Sequence, residues 1–209
     1  MLKLFFRMLL PLALMSSASP LWAFDASKVP PIKQTSAGLY LDAREAYALK
    51  DKLGSNALFI DIRTRSEVAY LGMPQAVDVH IPYMEHPFDA PWDDKNARFL
   101  LEPNNDFGPE LARRMSEKHL DKSSIIILMC RSGDRSAKAA NLLADLGYRQ
   151  VYTVVDGFEG DLVATGPQSG QRMVNGWKNA GLPWSYKLDK VRLYFPKDRK
   201  STRLNSSHT

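Results

Sequence analysis

The sequence predicts an α/β domain with a mainly parallel central sheet and helices on both faces. Three observations carry this. Short apolar runs such as "ALFIDI" (57–62) and "SSIIILM" (123–129) read as strands. Segments of helical period separate them, which implies right-handed crossovers and a sheet covered on both sides. The length of 209 residues, 44% of them hydrophobic, suits one well-buried domain and is short for two.

Each element follows in order. Asp42-Ala43-Arg44-Glu45 has the form of a capping box, so a helix is expected over 43–53. "ALFIDI" is a short, mostly apolar strand. Residues 64–71 read as a short helix, and "AVDVHI" (76–81) alternates like a second strand. The stretch 82–106 is rich in Pro, Asp and Asn and is expected to be a loop or lid. Pro109 suits the first turn of a helix running to about Leu120. "SSIIILM" is a buried strand, 136–146 a helix ended by Gly147, and "VYTVV" (151–155) the next strand.

The two ends read differently. Lys3 and Arg7 precede an apolar stretch from Met8 to Met15, and small residues follow up to Ala23. That order is a secretory signal peptide over 1–23, cleaved after Leu21-Trp22-Ala23. The apolar stretch is interrupted by Pro11 and falls short of the ~20 residues a membrane span needs. A soluble periplasmic or secreted protein is expected. Residues 24–38 read as an N-terminal linker, 39–187 as the domain and 188–199 as a C-terminal extension. Residues 200–209 are polar and aperiodic, a non-native or disordered tail.

Charge excludes one class of partner. Of the net +5, four charges come from Lys3, Arg7, Lys200 and Arg203 at the ends. The middle has no basic run, so nucleic-acid binding is not expected. His80, His86 and His119 lack companions at metal-ligand spacing, and core or surface roles are expected for them. Trp177 and Trp184 read as core and closure residues, and Arg172 is expected to lie away from the site.

Chemistry centres on "LMCRSGDRSAKAANLL" (128–143). Cys130 is the chain's single cysteine and follows its most hydrophobic strand. Ligands in such folds bind at the carboxyl ends of strands, where Cys130 stands. A lone thiol in an exported protein forms no internal disulfide, so it is either buried or used. Backbone N–H groups of the loop can turn inward as an anion-binding nest, and the next helix points its positive end the same way. Arg131 and Arg135 add charge, Asp134 partly offsets it, and Gly133 permits a backbone that a side chain would hinder. Together these favour the thiolate, which is the nucleophile.

The segments "CRSGDRSAKAANLLADLGY" and "LFIDIRTRSEVAYLGMPQAVDVHIP" resemble the rhodanese (sulfurtransferase) family, in the form of single-domain, exported bacterial members. Asp61-Ile62-Arg63, Glu67 and Ile81-Pro82 are similar to its first signature. "VVDGFEGDLV" and "NGWKNAGLPW" are similar to its closing segment. The resemblance spans roughly 40–184. It departs at Gly72-Met73-Pro74-Gln75-Ala76, where Gly-His-Ile-Pro-Gly-Ala is familiar, and in two expansions, 83–106 and 157–176. It implies a three-layer rhodanese-like fold and covalent, ping-pong chemistry. Cys130 would take a sulfane sulfur from a donor such as thiosulfate, releasing sulfite, and pass it to cyanide, a small thiol or a protein thiol. Arg131, Ser132, Gly133, Asp134, Arg135 and Ser136 would bind the small anionic donor, with Asp61 and Arg63 supporting the loop. No metal or organic cofactor is implied.

Two other readings compete. Cysteine phosphatases share the strand, anion-cradling loop and helix but place five residues between Cys and Arg. Here there are four, and Ser136 stands sixth after Cys130. A catalytically weak binding or redox-sensing module of the same fold is the second. Persulfide formation at Cys130 with multiple turnover separates it from the enzyme.

Overall fold

The computed structural model describes residues 24–196, so the expected signal peptide and the 200–209 tail lie outside the described residues. In chain order the elements are β1 (Tyr40–Leu41), α1 (Ala43–Leu53), β2 (Ala57–Asp61), α2 (Arg65–Leu71), β3 (Met73–Pro74), β4 (Val79–His80), β5 (Met84–Glu85), β6 (Trp92–Asp93), β7 (Arg98–Phe99), β8 (Glu102–Pro103), α3 (Phe107–Glu117), β9 (Ile125–Met129), α4 (Asp134–Asp145), β10 (Gln150–Val154) and β11 (Trp184–Ser185). Five of the strands form one sheet in the order β1-β10-β9-β2-β4, and every pairing in it is parallel. Among the described residues no helix is long and apolar enough to cross a membrane.

Strand pleating divides the interior in two. Leu58, Ile60 and Ile62 point to one face together with Ile126, Leu128 and Cys130, where α3 and α4 supply Phe107, Leu111, Ala139 and Leu143. Phe59, Ile127 and Met129 point to the other, against Ala46 and Leu49 of α1 and the buried Trp177. Cys130 thus continues the alternation of β9 by one residue, onto the face that α4 covers.

Local signals set the helix starts. Asp42 accepts from Glu45 N–H at 2.8 Å while Glu45 accepts from Asp42 N–H at 2.9 Å. Thr64 and Glu67 close a second capping box at the start of α2. The helix expected from 136 begins at Asp134, because Gly133 turns the chain with φ of +105° and Ala137 N–H already bonds back to Gly133 O. Loop residues Asp134 and Arg135 therefore belong to its first turn.

Three segments differ from expectation. The strand expected over 76–81 pairs only at Val79 and His80, since Asp78 uses its carboxylate on Phe59 N–H and Lys50. The 82–106 loop is a folded arm: β5 pairs with β8 at its base, and β6 with β7 at its tip. The expected linker 24–38 is packed, with two 3-10 turns and buried Val29 and Lys33. The C-terminal extension also docks, since Tyr194 donates to Asp106 at 2.7 Å and Arg114 donates to the carbonyls of Val191 and Leu193.

Candidate active site

Cys130 leaves β9 at the carboxyl edge of the sheet, and four residues later the chain is in the first turn of α4. Its sulfur accepts the Gly133 N–H at 3.1 Å. The residue is fully buried, so the sulfur lies at the floor of the loop under the positive end of a twelve-residue helix. Two surface cavities, about 300 and 330 Å³, are lined by other residues, among them Asp42, Asp156 and Gly176 in one and Met73, Gln75 and Arg192 in the other.

The loop has its shape because backbone packs on backbone. A Cβ on Gly133 would lie 2.3 Å from Val155 O, and one on Gly157 2.6 Å from the Arg131 carbonyl carbon. Both glycines have positive φ, so their lack of a side chain serves conformation and clearance together. From the segment after β10, Phe158 N–H donates to Cys130 O at 2.9 Å and Glu159 N–H to Arg131 O at 2.9 Å. These bonds occupy both carbonyls, while the sulfur takes the Gly133 N–H.

Charged residues divide into two groups. Arg135 gives both terminal nitrogens to Glu67, at 2.7 and 2.6 Å. Burial alone would raise the Glu67 carboxyl, but the Arg135 bonds and charge and the Thr64 N–H hold it at about 2. Arg135 is likewise held protonated: burial opposes its charge, and Glu67 and Cys130 outweigh that. Two of its five N–H donors serve Glu67, which anchors the side chain, and the others are left for the anion-holding role expected of it. Arg131 is exposed. Ser132 donates to Asp134 at 3.0 Å. Burial pushes the Asp134 carboxyl up, but its own N–H, the Ser132 hydroxyl and both arginines bring it below its ordinary value. Ser136 is fully buried, and among the described residues its hydroxyl has no hydrogen-bond partner.

Asp61 and Arg63 stand on the opposite face from the sulfur. They form a fully buried ion pair at 2.5 Å, and Arg63 donates to Gly72 O at 2.7 Å. The Arg63 guanidinium lies 3.9 Å from the Phe158 ring centre, and Phe158 N–H holds the Cys130 carbonyl. Their support reaches the loop through that ring. His80 is buried against Arg63 O at 2.7 Å, and among the described residues no cluster could hold a metal.

Sequence reasoning missed three contributors. The Arg135 partnership of Glu67 joins residues 68 apart, and spacing gives no sign of it. Lys33 lays its stem on Gly133 and bonds Asp161 at 2.6 Å. Arg172 donates to Gly160 O at 2.5 Å and so does reach this neighbourhood.

The profile of the rhodanese-like domain matches residues 42–162, more than half of the chain. The chain belongs to the rhodanese-like domain family. It is 32% identical over 133 residues to an uncharacterized protein of Rickettsia rickettsii, covering 63% of this chain and 85% of that one. An uncharacterized Rickettsia prowazekii protein is 32% identical over 136 residues, covering 64% and 87%. The crystal structure of Rv0390 from M. tuberculosis superposes with a TM-score of 0.52 at 28% identity, over 71% of this chain and 97% of that one. The matched span of this rhodanese-like domain holds the whole sheet except β1, together with the cysteine loop, and stops at Leu162. The 163–187 segment and the C-terminal extension lie beyond it.

Proposed function

We propose that the protein is a sulfurtransferase working through a persulfide on Cys130. The observation that carries this reading is the Gly133 N–H on the cysteine sulfur, at the amino end of α4 and with the loop carbonyls occupied. An N–H directed at sulfur favours negative charge there, before attack and again on the terminal sulfur of a persulfide. The thiolate attacks the outer sulfur of a donor such as thiosulfate. A new sulfur–sulfur bond forms, the donor's own breaks, and sulfite leaves with the electron pair. Cyanide, a small thiol or a protein thiol then attacks the terminal sulfur and carries it away, and the bonding pair returns to Cys130 as thiolate.

The exported location, periplasmic or secreted, is part of the proposal and rests on the 1–23 sequence pattern.

Intact mass measurement after thiosulfate treatment tests the chemistry. The expected result is one added sulfur, on Cys130, discharged by cyanide or a thiol over many turnovers. A second reading, a binding or redox-sensing module, draws on the complete burial of the cysteine. A parent protein that forms no persulfide with any sulfane donor would select it.

A further inference from the structure

Most arginines of the described chain are neutralised. Arg63, Arg65, Arg98, Arg113, Arg114, Arg135 and Arg192 each pair with a carboxylate. Arg44, Arg131, Arg149 and Arg172 form no ion pair among the described residues, and of these Arg131 and Arg172 stand together beside the cysteine loop. Arg172 comes from the 161–175 excursion, which is closed by the Leu162–Arg172 bridge. Its guanidinium bonds Gly160 O at 2.5 Å, and the N–H groups of Glu159 and Gly160 bond Arg131 O at 2.9 and 3.4 Å. The Asn179 amide donates to the carbonyls of Glu159, Arg172 and Asn175, fixing the Arg172 backbone to the segment that holds the loop. Arg172 is thus tied to the residue next to Cys130 through one residue, Gly160, by the peptide groups on either side of its Cα.

The charges around it do not satisfy it. Burial and the Arg131 charge both act against the protonated Arg172, while Glu159, Asp134 and Asp161 favour it. Asp161 is already bonded by Lys33, and Asp134 by Ser132. A half-buried guanidinium facing another cation, with donors to spare, is stabilised by an anion arriving from solution.

We propose that Arg172, together with Arg131, binds the oxyanion end of the sulfur donor, so that this site selects sulfane donors carrying a sulfo group over uncharged ones. The inference rests on the sulfur-transfer reading and assigns the 161–175 excursion the choice of donor. Arg172 supplies the fixed, half-buried charge, and Arg131 the exposed one that meets the donor first.

The test compares the parent with Arg172→Gln, which keeps an amide donor for Gly160 O. Turnover is measured with thiosulfate and with an uncharged organic trisulfide, circular dichroism confirming the fold. Losing one charged contact corresponds to about a tenfold rise in KM for thiosulfate. The expected result is that rise with kcat little changed, and unaltered kinetics with the trisulfide. Equal losses on both donors would assign Arg172 to holding Gly160 and overturn the proposal, as would no change on either. Calorimetric thiosulfate binding to Cys130→Ser, with and without Arg172→Gln, separates this inference from the reading beneath it. Arg172-dependent binding to Cys130→Ser, where the parent itself turns over no donor, keeps the anion site and removes the sulfurtransferase. Absence of thiosulfate binding to Cys130→Ser removes the anion site.

Discussion

Cys130, Glu67 and Arg135 make separable demands. A serine at 130 is a poor nucleophile at neutral pH and cannot carry a persulfide, so Cys130→Ser should abolish turnover in a protein that keeps its circular dichroism. Arg135→Ala should act in two ways. It strands a largely buried Glu67 carboxylate, which costs about 3 kcal/mol, near the low end for broken buried pairs because some water reaches this one. It also removes a charge felt by the thiol, and a fall of about ten- to hundredfold in thiosulfate turnover is expected. Denaturant unfolding and steady-state assays read the two effects independently. The acid limb of stability belongs to the same pair. Glu67 sits at about 2 in the folded chain against an ordinary 4.5, so its stabilisation is complete above the ordinary value and drains away as pH falls toward 2. Glu67→Gln should flatten that limb, and an unchanged acid titration would show that the pair contributes nothing.

At the scale of elements, the turn from β9 into α4 and the segment after β10 act as one unit. Gly133→Ala would place a methyl group 2.3 Å from Val155 O at a φ of +105°, so the two segments must part. Roughly 1–3 kcal/mol of strain is expected, with loss of the Gly133 N–H contact and of activity together. A single glycine inserted after Gly133 should likewise lower sulfur transfer; unchanged transfer would show that ring size is unimportant. Asp156 makes a second pH device in this unit. Its carboxyl accepts Gly176 N–H at 3.0 Å, and burial pushes it up to about 7. Between its ordinary 3.8 and 7 the folded chain holds a proton that the unfolded chain has released. Stability should therefore fall as pH rises through this window, by up to about 1.4 kcal/mol per pH unit, and Asp156→Asn should remove the slope. Much of the unit was legible from local pattern, β9 as an apolar run and Gly133 as the turn, and outside it the Asp42 and Glu45 cap of α1 was legible too. Its remaining parts were hidden because they are made of contacts distant in sequence. Nothing in "EVAYL" announces Arg135, and Lys33 lies in a stretch whose composition suggests a tether. The two-residue strands β1 and β11 are too short to show any period, and their partners alone define them.

For the whole molecule, the ends of the described chain matter more than their composition suggests. Arg114 and Asp106, on and beside α3, hold the extension through Val191, Leu193 and Tyr194, and Arg192 donates to the carbonyls of Gln75 and Val77. Truncation before Asp189 should lower stability by roughly 2–4 kcal/mol, given the buried Tyr194 ring and several hydrogen bonds lost, while Cys130 still accepts sulfur. Thermal unfolding of the truncated chain checks the first part and mass measurement the second. Protein recovered from cells should begin near Phe24 if the leader is cleaved, which N-terminal sequencing decides. The 161–175 excursion, by contrast, leaves and rejoins the body at one point: Trp177 N–H reaches Gly157 O at 2.9 Å, and Lys178 N–H reaches Phe158 O at 3.0 Å. A loop whose feet already touch is closed at a cost that grows only with the logarithm of its length. Changes in its length can therefore be absorbed at its touching feet without moving the Cys130 loop, which lies on the other side of them.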